Sequence, residues 1–337
     1  MKNNGAYYTF ENIIGNNKEL KKTVDFAHKV ALNNSSVLLL GETGTGKELF
    51  AQSIHNASKF SNGPFIAVNC AAIPSTLIES ILFGTAEGAF TGAKNTKGLL
   101  HQAHNGTIFL DEINSMNLDA QSKLLRFLQD KTIRSVGDNK QTKIHCRIIS
   151  AINKSIEEEI NSGNIRSDLY YRLSTVTIRI PPLSQRIDDI PILSNFFVNK
   201  YQLEFCSNIK MIDSSLLKSF MDYNWPGNVR ELEHVIESAM NMIDSGDEIL
   251  KQKHLSTYLQ QRILSIDTSN KKNSADIIFS TEKKLHEILD DVERKVIIER
   301  LSKNQGNITQ TAEDLGIFRQ ALQYRIKKYK IEKNEYI

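Results

Sequence analysis

The sequence predicts an α/β protein built on a parallel sheet, joined to a small all-helical domain and followed by an all-α domain. Three observations predict it. From Phe10 to about Asn153, short apolar runs alternate with segments of helical periodicity, the pattern of a parallel sheet with crossover helices. From about Asp188 to Gln261 apolar residues recur only at helical spacing. A polar, aperiodic stretch at Ser265–Ser280 then reads as a linker to further helices.

The elements follow in order. Val37–Leu40 is a buried strand that ends at a glycine, and Glu48–Ser58 is a helix. Phe65–Asn69, Thr107–Leu110 and Arg147–Ile152 are three more strands, with helical segments such as Leu118–Gln129 between them. Ile190–Leu203, Ser214–Asp222 and Val229–Met242 are helices of the second part. Beyond the linker, Glu282–Leu301 has apolar residues at 285, 288, 289, 292, 296, 297 and 301, the stripe of a long amphipathic helix, and two shorter helices follow it. The 337 residues suffice for two or three domains. These are a short extension (1–9), an α/β domain (10–185), a helical domain (186–262), a linker (263–280) and a C-terminal domain (281–337).

Hydrophobic residues at 40% and charged residues at 24% fit a soluble globular protein and exclude a disordered or fibrous class. The net charge of +3 says little about partners. Cys70, Cys146 and Cys206 are far apart and form no CxxC pair, which argues against a disulfide framework or a zinc site. They read as three small buried apolar residues. There is no apolar run of roughly 18 residues, and MKNNGAYYTFENIIG lacks the core of a signal peptide. No membrane partner and a cytoplasmic location are therefore expected.

GETGTGKE (Gly41, Glu42, Thr43, Gly44, Thr45, Gly46, Lys47, Glu48) lies between a predicted strand and a predicted helix. Its glycines let backbone N–H groups turn toward phosphate oxygens, the helix start favours anions, and Lys47 can reach the β- and γ-phosphates. Glu48 stands where a magnesium-binding Ser or Thr is usual. Asp111-Glu112 closes the apolar run from Thr107. There Asp111 can hold magnesium, and Glu112 can orient or deprotonate an attacking water. Asn69 and Asn153 also sit at strand ends, and either can hydrogen-bond to Glu112 or near the γ-phosphate; as isolated residues both equally fit turns. Arg166 and Arg172 flank SDLYY and can supply positive charge to a neighbouring subunit's site, or Arg166 can simply pair with Asp168. Arg230 can face a nucleotide, or pair with Glu233 or Glu237 on its own helix.

GETGTGKE, VNCAAI, LFGTAEGAFTGA, TIFLDE, IRSDLYYRL and WPGNVREL occur in the order and spacing of the sigma-54-dependent activators, bacterial enhancer-binding proteins of the AAA+ class. The chain resembles that family from about Phe10 to Leu259 and again over its C-terminal helices. The resemblance implies an AAA+ P-loop domain with a helical lid and an ATPase that uses ATP and Mg2+. Asp111 and Glu112 would then be the acidic pair, with Asn69 a switch that restrains Glu112. Asn153 and Arg230 would be the two nucleotide sensors, and Arg166 and Arg172 fingers acting between subunits of a hexameric ring. Glu48 is usual in the family, whereas Ile152 and Ile165 replace a common threonine and phenylalanine. GAFTGA (Gly88, Ala89, Phe90, Thr91, Gly92, Ala93) would be an exposed loop, bent at its glycines, that touches sigma-54 in the RNA polymerase closed complex.

At the C-terminus, Asn307 and Gln310 have capping-box spacing, Gly316 makes a turn, and Ala312, Leu315, Ile317, Leu322 and Ile326 form an apolar stripe. Leu315–Lys330 carries five basic residues and no acidic one. Arg319, Gln320, Gln323, Tyr324 and Arg325 can meet bases or phosphates, and Lys327 and Lys328 suit the DNA backbone. The module resembles the Fis-type helix-turn-helix, except that Phe318 replaces a frequent serine and leaves the helix without a good N-cap. A dimer on an upstream palindromic site of double-stranded DNA is expected. The alternative is a DNA-binding repressor with a vestigial ATPase domain. About nine residues precede the predicted ATPase domain, so the regulatory signal is expected in trans or on a domain outside this chain.

Overall fold

The structure, a computed structural model, describes residues 4–89, 93–244, 246–264, 285–329 and 331–332. The linker expected at Ser265–Ser280 lies outside them. The strands include β1 (Val37–Leu40), β2 (Phe65–Asn69), β3 (Thr107–Asp111), β4 (Thr132–Arg134), β5 (Gln141–Lys143), β6 (Arg147–Ile152) and β7 (Val176–Arg179), besides two-residue strands at Gly84–Thr85, Thr96–Lys97, Met211–Ile212 and Ile249–Leu250. Five of them form one sheet in the order β2-β3-β6-β1-β7, parallel throughout, while β4 and β5 make a separate antiparallel hairpin.

Side chains of the sheet alternate between two cores. Val37, Leu39, Phe109, Ile149 and Ala151 pack with Ala27, Phe50 and Ile54 on one face. Leu38, Ile108, Leu110, Ile148 and Ile152 pack with Leu124 and Phe127 on the other. A sheet covered on both faces favours apolar residues at successive positions, which is why VLLL is a continuous apolar run and RIISAI is apolar apart from the buried Arg147 and Ser150. The fifth strand, β7, was not expected. It is an edge strand in which only Ile178 is buried, so its apolar signal is short.

The helices on this sheet include α1 (Lys18–Ala31), α2 (Lys47–Asn56), α3 (Leu118–Asp130) and α4 (Ser167–Leu173). Arg147, the first residue of β6, is 1% exposed and fastens α1. Its Nη1 and Nη2 donate to Ala31 O and Val30 O, each at 2.9 Å, at the helix C-terminus where carbonyls run out of intrahelical donors; Val30 O also accepts from Asn33 N at 3.1 Å. Burial pushes its pKa down to about 10.

The helical part holds α5 (Ile190–Phe205), α6 (Ser214–Asp222), α7 (Asn228–Met240) and α8 (Thr257–Leu264) around a buried Trp225. The Trp225 ring meets Phe220 and Tyr223 edge-on at 5.4 and 5.0 Å, and its Nε1 donates to Phe220 O at 2.6 Å. Cys70 and Cys146 are buried as expected, but Cys206 is exposed. It caps α5 in the left-handed region (φ 51°), outside the core.

The chain divides into two compact units, Met1–Ile266 and Asp267–Ile337. In the second, α9 (Leu285–Lys303), α10 (Ile308–Asp314) and α11 (Arg319–Lys328) enclose Ile297, Leu301, Ala312, Leu322 and Ile331. Asn307 caps α10 by accepting from Thr309 N and Gln310 N, and Gly316 turns the chain at φ +64°. No helix among the described residues is long and apolar enough to cross a membrane.

Arg147→Met removes both guanidinium donors to the end of α1; Val30 O keeps the Asn33 N–H at 3.1 Å, while Ala31 O loses its side-chain donor. The substitution is expected to lower stability by about 3 kcal/mol, read by urea unfolding.

Candidate functional site

The predicted chemistry gathers at the carboxyl ends of the sheet strands, where open parallel sheets bind ligands. Gly41 follows β1 and donates its N–H to Ile152 O at 3.2 Å. Gly44 and Gly46 take φ of +79° and +98°, which turns the chain directly into α2 at Lys47. Lys47 is 7% exposed, and its Nζ donates to Gly41 O at 2.9 Å and Glu42 O at 3.0 Å. Burial pushes its pKa down, against the opposing pull of Asp111 and Glu112. Thr45 Oγ1 donates to Glu42 O at 2.8 Å. Glu48 is exposed and accepts from Gln52 Nε2 at 3.0 Å.

Asp111 ends β3 in register with Asn69 of β2. Its Oδ1 accepts from Glu112 N at 3.0 Å. Glu112 takes a left-handed conformation (φ 52°, ψ 48°), which costs a non-glycine residue on the order of 1 kcal/mol. Its Oε1 accepts from Asn153 Nδ2 at 3.1 Å, while Asn153 Oδ1 is buried without a partner among the described residues. The contact to Glu112 that the sequence left open between two asparagines thus belongs to Asn153. Asn69 does not make it in this conformation: its Oδ1 accepts from Ala71 N and Ala72 N and caps the turn Cys70–Ala72. Cys70 beside them is buried, and burial together with the two carboxylates pushes its thiol up to about 12.

Arg166 and Arg172 are exposed around α4. Arg166 holds Asp168 through Nε at 3.0 Å and Nη2 at 2.7 Å, and Arg172 Nη2 donates to Leu128 O at 3.4 Å. The surface pair with Asp168 that the sequence allowed is therefore formed. Arg230 behaves otherwise. Glu233 accepts from Lys200 and Glu237 from Tyr201, and among the described residues neither pairs with it. Arg230 instead lines a cleft of about 700 Å³ with Thr43, Gly227, Glu231 and His234.

The stem of the GAFTGA segment is built from Gly84–Thr85, antiparallel to Thr96–Lys97. Gly88 has φ +78°, and its N–H donates to Ala93 O at 3.4 Å. Ala86 N donates to Val136 O at 2.9 Å and Val136 N to Gly84 O at 2.8 Å, which ties the stem to the β4–β5 hairpin. Phe90, Thr91 and Gly92 lie outside the described residues.

In the second unit, α11 exposes Arg319, Gln320, Gln323, Tyr324 and Lys327. Arg325 and Lys328 are committed differently. Arg325 pairs with Glu293, and Lys328 Nζ lies 2.8 Å from Asp290, so both hold α11 against α9. The Tyr329 hydroxyl, with Arg325 beside it, keeps the Glu293 carboxyl below the usual carboxylate range. Phe318 precedes α11 with no side-chain cap and is 88% exposed.

Residues 13–179 match the family model of the sigma-54 interaction domain. Residues 184–272 match the AAA+ ATPase lid domain, and 288–329 the model described as bacterial regulatory protein, Fis family. The transcriptional activator RocR of Bacillus subtilis (strain 168) is 46% identical over 99% of this chain and 72% of its own length. The chain belongs to the sigma-54-dependent transcriptional activators. The regulatory protein AtoC of Escherichia coli (strain K12) is 41% identical over 90% of the chain, which spans 64% of AtoC. The phenol regulator MopR of Acinetobacter guillouiae is 40% identical over 95% of the chain, which spans 57% of MopR. The solved structure of NtrX from Brucella abortus in complex with ADP is similar at 31% identity and a TM-score of 0.68, over 95% of this chain and 69% of that one. The sheet domain of this sigma-54 activator is accordingly an AAA+ P-loop ATPase domain, with its lid and a Fis-type helix-turn-helix behind it.

Two parts of this activator's site carry little signal of their role in the sequence. One is the β4–β5 hairpin, whose signal is the turn pair Gly137-Asp138 between short polar strands. The other is Asn228, inside WPGNVREL, whose side chain reaches Glu42 and Thr43. Asn153→Ala removes the donor to Glu112. Hydrolysis by this variant is expected to fall about tenfold or more with ATP affinity unchanged, read by phosphate release and nucleotide titration.

Proposed function

We propose that this activator hydrolyses ATP to remodel the closed complex of sigma-54 RNA polymerase into an open one, at promoters whose upstream DNA it binds. The observation that carries the reading is the set formed by Lys47, Asp111, Glu112 and Asn153 at neighbouring strand ends, with Asn153 Nδ2 3.1 Å from Glu112 Oε1. A vestigial ATPase domain has no need of a carboxylate held in a strained backbone by a dedicated donor.

In this reading the loop N–H groups of Gly41–Lys47 and the Lys47 ammonium hold the phosphates, and Glu112 takes the proton of the attacking water. Asn153 sets the position of Glu112, Asn69 is a switch that leaves its turn to restrain Glu112 in another nucleotide state, and Arg230 reaches the nucleotide from the lid. Among the described residues no cluster of three or more His, Cys, Asp or Glu side chains forms a metal site of its own. One carboxylate beside a phosphate cradle suits Mg2+, which keeps several waters and is shared with the nucleotide. Asp111 would hold that ion, which offsets charge on the phosphates. Arg166 and Arg172, exposed on one protomer, complete the site of the next in a hexameric ring. Gly88–Ala93 contacts sigma-54, with Phe90 and Thr91 at the tip. A dimer of the 281–337 module reads a palindrome through Arg319, Gln320, Gln323, Tyr324 and Lys327, while Arg325 and Lys328 brace the helix. The ATPase domain spans 10–185 and its lid 186–262, and the protein works in the cytoplasm.

Glu112→Gln should bind ATP as the wild type does and hydrolyse it at least about a hundredfold more slowly; ordinary turnover would remove Glu112 from its role. Thr91→Ala should keep its ATPase activity and lose open-complex formation on a sigma-54 promoter template. Full transcription from that variant would end the loop assignment.

A further inference from the structure

The carbonyls of the phosphate loop all find donors. Those of Gly41 and Glu42 accept from Lys47 Nζ. The next three accept from outside the loop: Thr43 O from Asn228 Nδ2 at 3.0 Å, Gly44 O from Val229 N at 3.1 Å, and Thr45 O from Arg186 Nη2 at 3.4 Å. Two of these three donors belong to one turn, the start of α7.

Asn228 is the centre of that turn. It is 1% exposed and takes φ +52°, a region that asparagine tolerates better than most side chains. Its Oδ1 accepts from Leu183 N at 2.7 Å, and its Nδ2 also donates to Glu42 Oε2 at 3.1 Å. A Cβ on Gly44 would lie 2.1 Å from Gly227 O, so loop and turn touch with no space between them. Arg230, two residues on, lines the cleft that Thr43 also lines.

The structure assigns Asn228 as a positioning residue that locks the phosphate loop to the turn opening α7. The shape of the phosphate cradle and the placement of Arg230 are thereby set together. The assignment rests on the nucleotide reading of this loop. The polarity of the side chain is essential to it. An aspartate could still accept from Leu183 N, but it would turn a carboxylate toward the Glu42 carboxylate and the Thr43 carbonyl.

The test is titration of the full chain with a fluorescent non-hydrolysable ATP analogue, with the melting of each variant recorded beside it. Asn228→Gly keeps the backbone conformation and removes all three side-chain hydrogen bonds; about tenfold weaker binding is expected. Asn228→Asp should bind more weakly still. Adding Glu42→Gln to it returns a donor to that contact and should recover at least about threefold, a rescue that a merely structural role would not produce. Arg230→Ala should cost less affinity in the Asn228→Gly background than in the wild type, because coupled residues are not additive. An Asn228→Gly chain that melts cooperatively above the assay temperature and binds as tightly as the wild type overturns the assignment. Where that variant does not fold, hydrogen exchange on the wild type decides. The Leu183 and Val229 amides should exchange more slowly once the analogue is bound, and unchanged exchange overturns the lock. A wild type that binds the analogue no better than Lys47→Ala overturns the nucleotide reading itself.

Discussion

A loop that offers its N–H groups to an anion must find donors for its carbonyls elsewhere, and the first unit is organised around that constraint. Lys47 serves Gly41 and Glu42 from within the loop. The carbonyls of Thr43, Gly44 and Thr45 are served by residues 228, 229 and 186, all beyond the end of the sheet in sequence. The helical part is therefore attached to the sheet at the phosphate loop itself, not only through apolar packing. A shift of α7 relative to the sheet must break these hydrogen bonds or carry the loop with it. Glycine at 44 follows from the same closeness, since any side chain there would meet the Gly227 carbonyl.

The charges of the site balance on a similar principle. Lys47 is buried, which penalises its ammonium, and Asp111 and Glu112 lie close enough to oppose the penalty. Each carboxylate depends on a fixed partner. Asp111 accepts from the peptide N–H of Glu112, and Glu112 accepts from Asn153. The left-handed backbone at Glu112 is the strained element, and such strain persists only where the surroundings over-determine it. Here they do: β3 enters from one side, the turn Ile113–Ser115 leaves on the other, and the Asn153 carboxamide fixes the side chain.

What the sequence discloses divides along physical lines. Strands buried on both faces are legible as apolar runs, as β1, β3 and β6 are, and the edge strand β2 is legible through its apolar FIAV. The phosphate loop and Asp111-Glu112 are legible because their chemistry demands particular residues at strand ends. β7 is not, because an edge strand with one buried residue has almost no pattern. Arg147 is opaque for the opposite reason. It sits at the head of an apolar run, and its guanidinium acts on carbonyls 116 and 117 residues away in the chain. Arg325 and Lys328 share a basic helix with Arg319 and Lys327, and composition cannot tell a cation paired with α9 from one that carries no such pair among the described residues. Asn153 and Asn69 are chemically alike and both end strands. Only the fold decides that one reaches Glu112 while the other caps its own turn.

The same logic links the catalytic end of the sheet to the GAFTGA stem. Asn153 immediately follows β6, and β6 follows the β4–β5 hairpin after three residues, 144–146. That hairpin is fastened to the stem by two main-chain hydrogen bonds, Ala86 N to Val136 O and Val136 N to Gly84 O. At Gly137 a Cβ would come within 2.5 Å of Ala89 Cβ, so hairpin and stem are also in steric contact. Asn153, which donates to Glu112, and the stem that carries GAFTGA are thus joined through a strand, a hairpin and two peptide hydrogen bonds. The connection ends at the stem, where the Thr85 hydroxyl donates to Lys94 O at 2.7 Å and closes the base of the segment that carries GAFTGA.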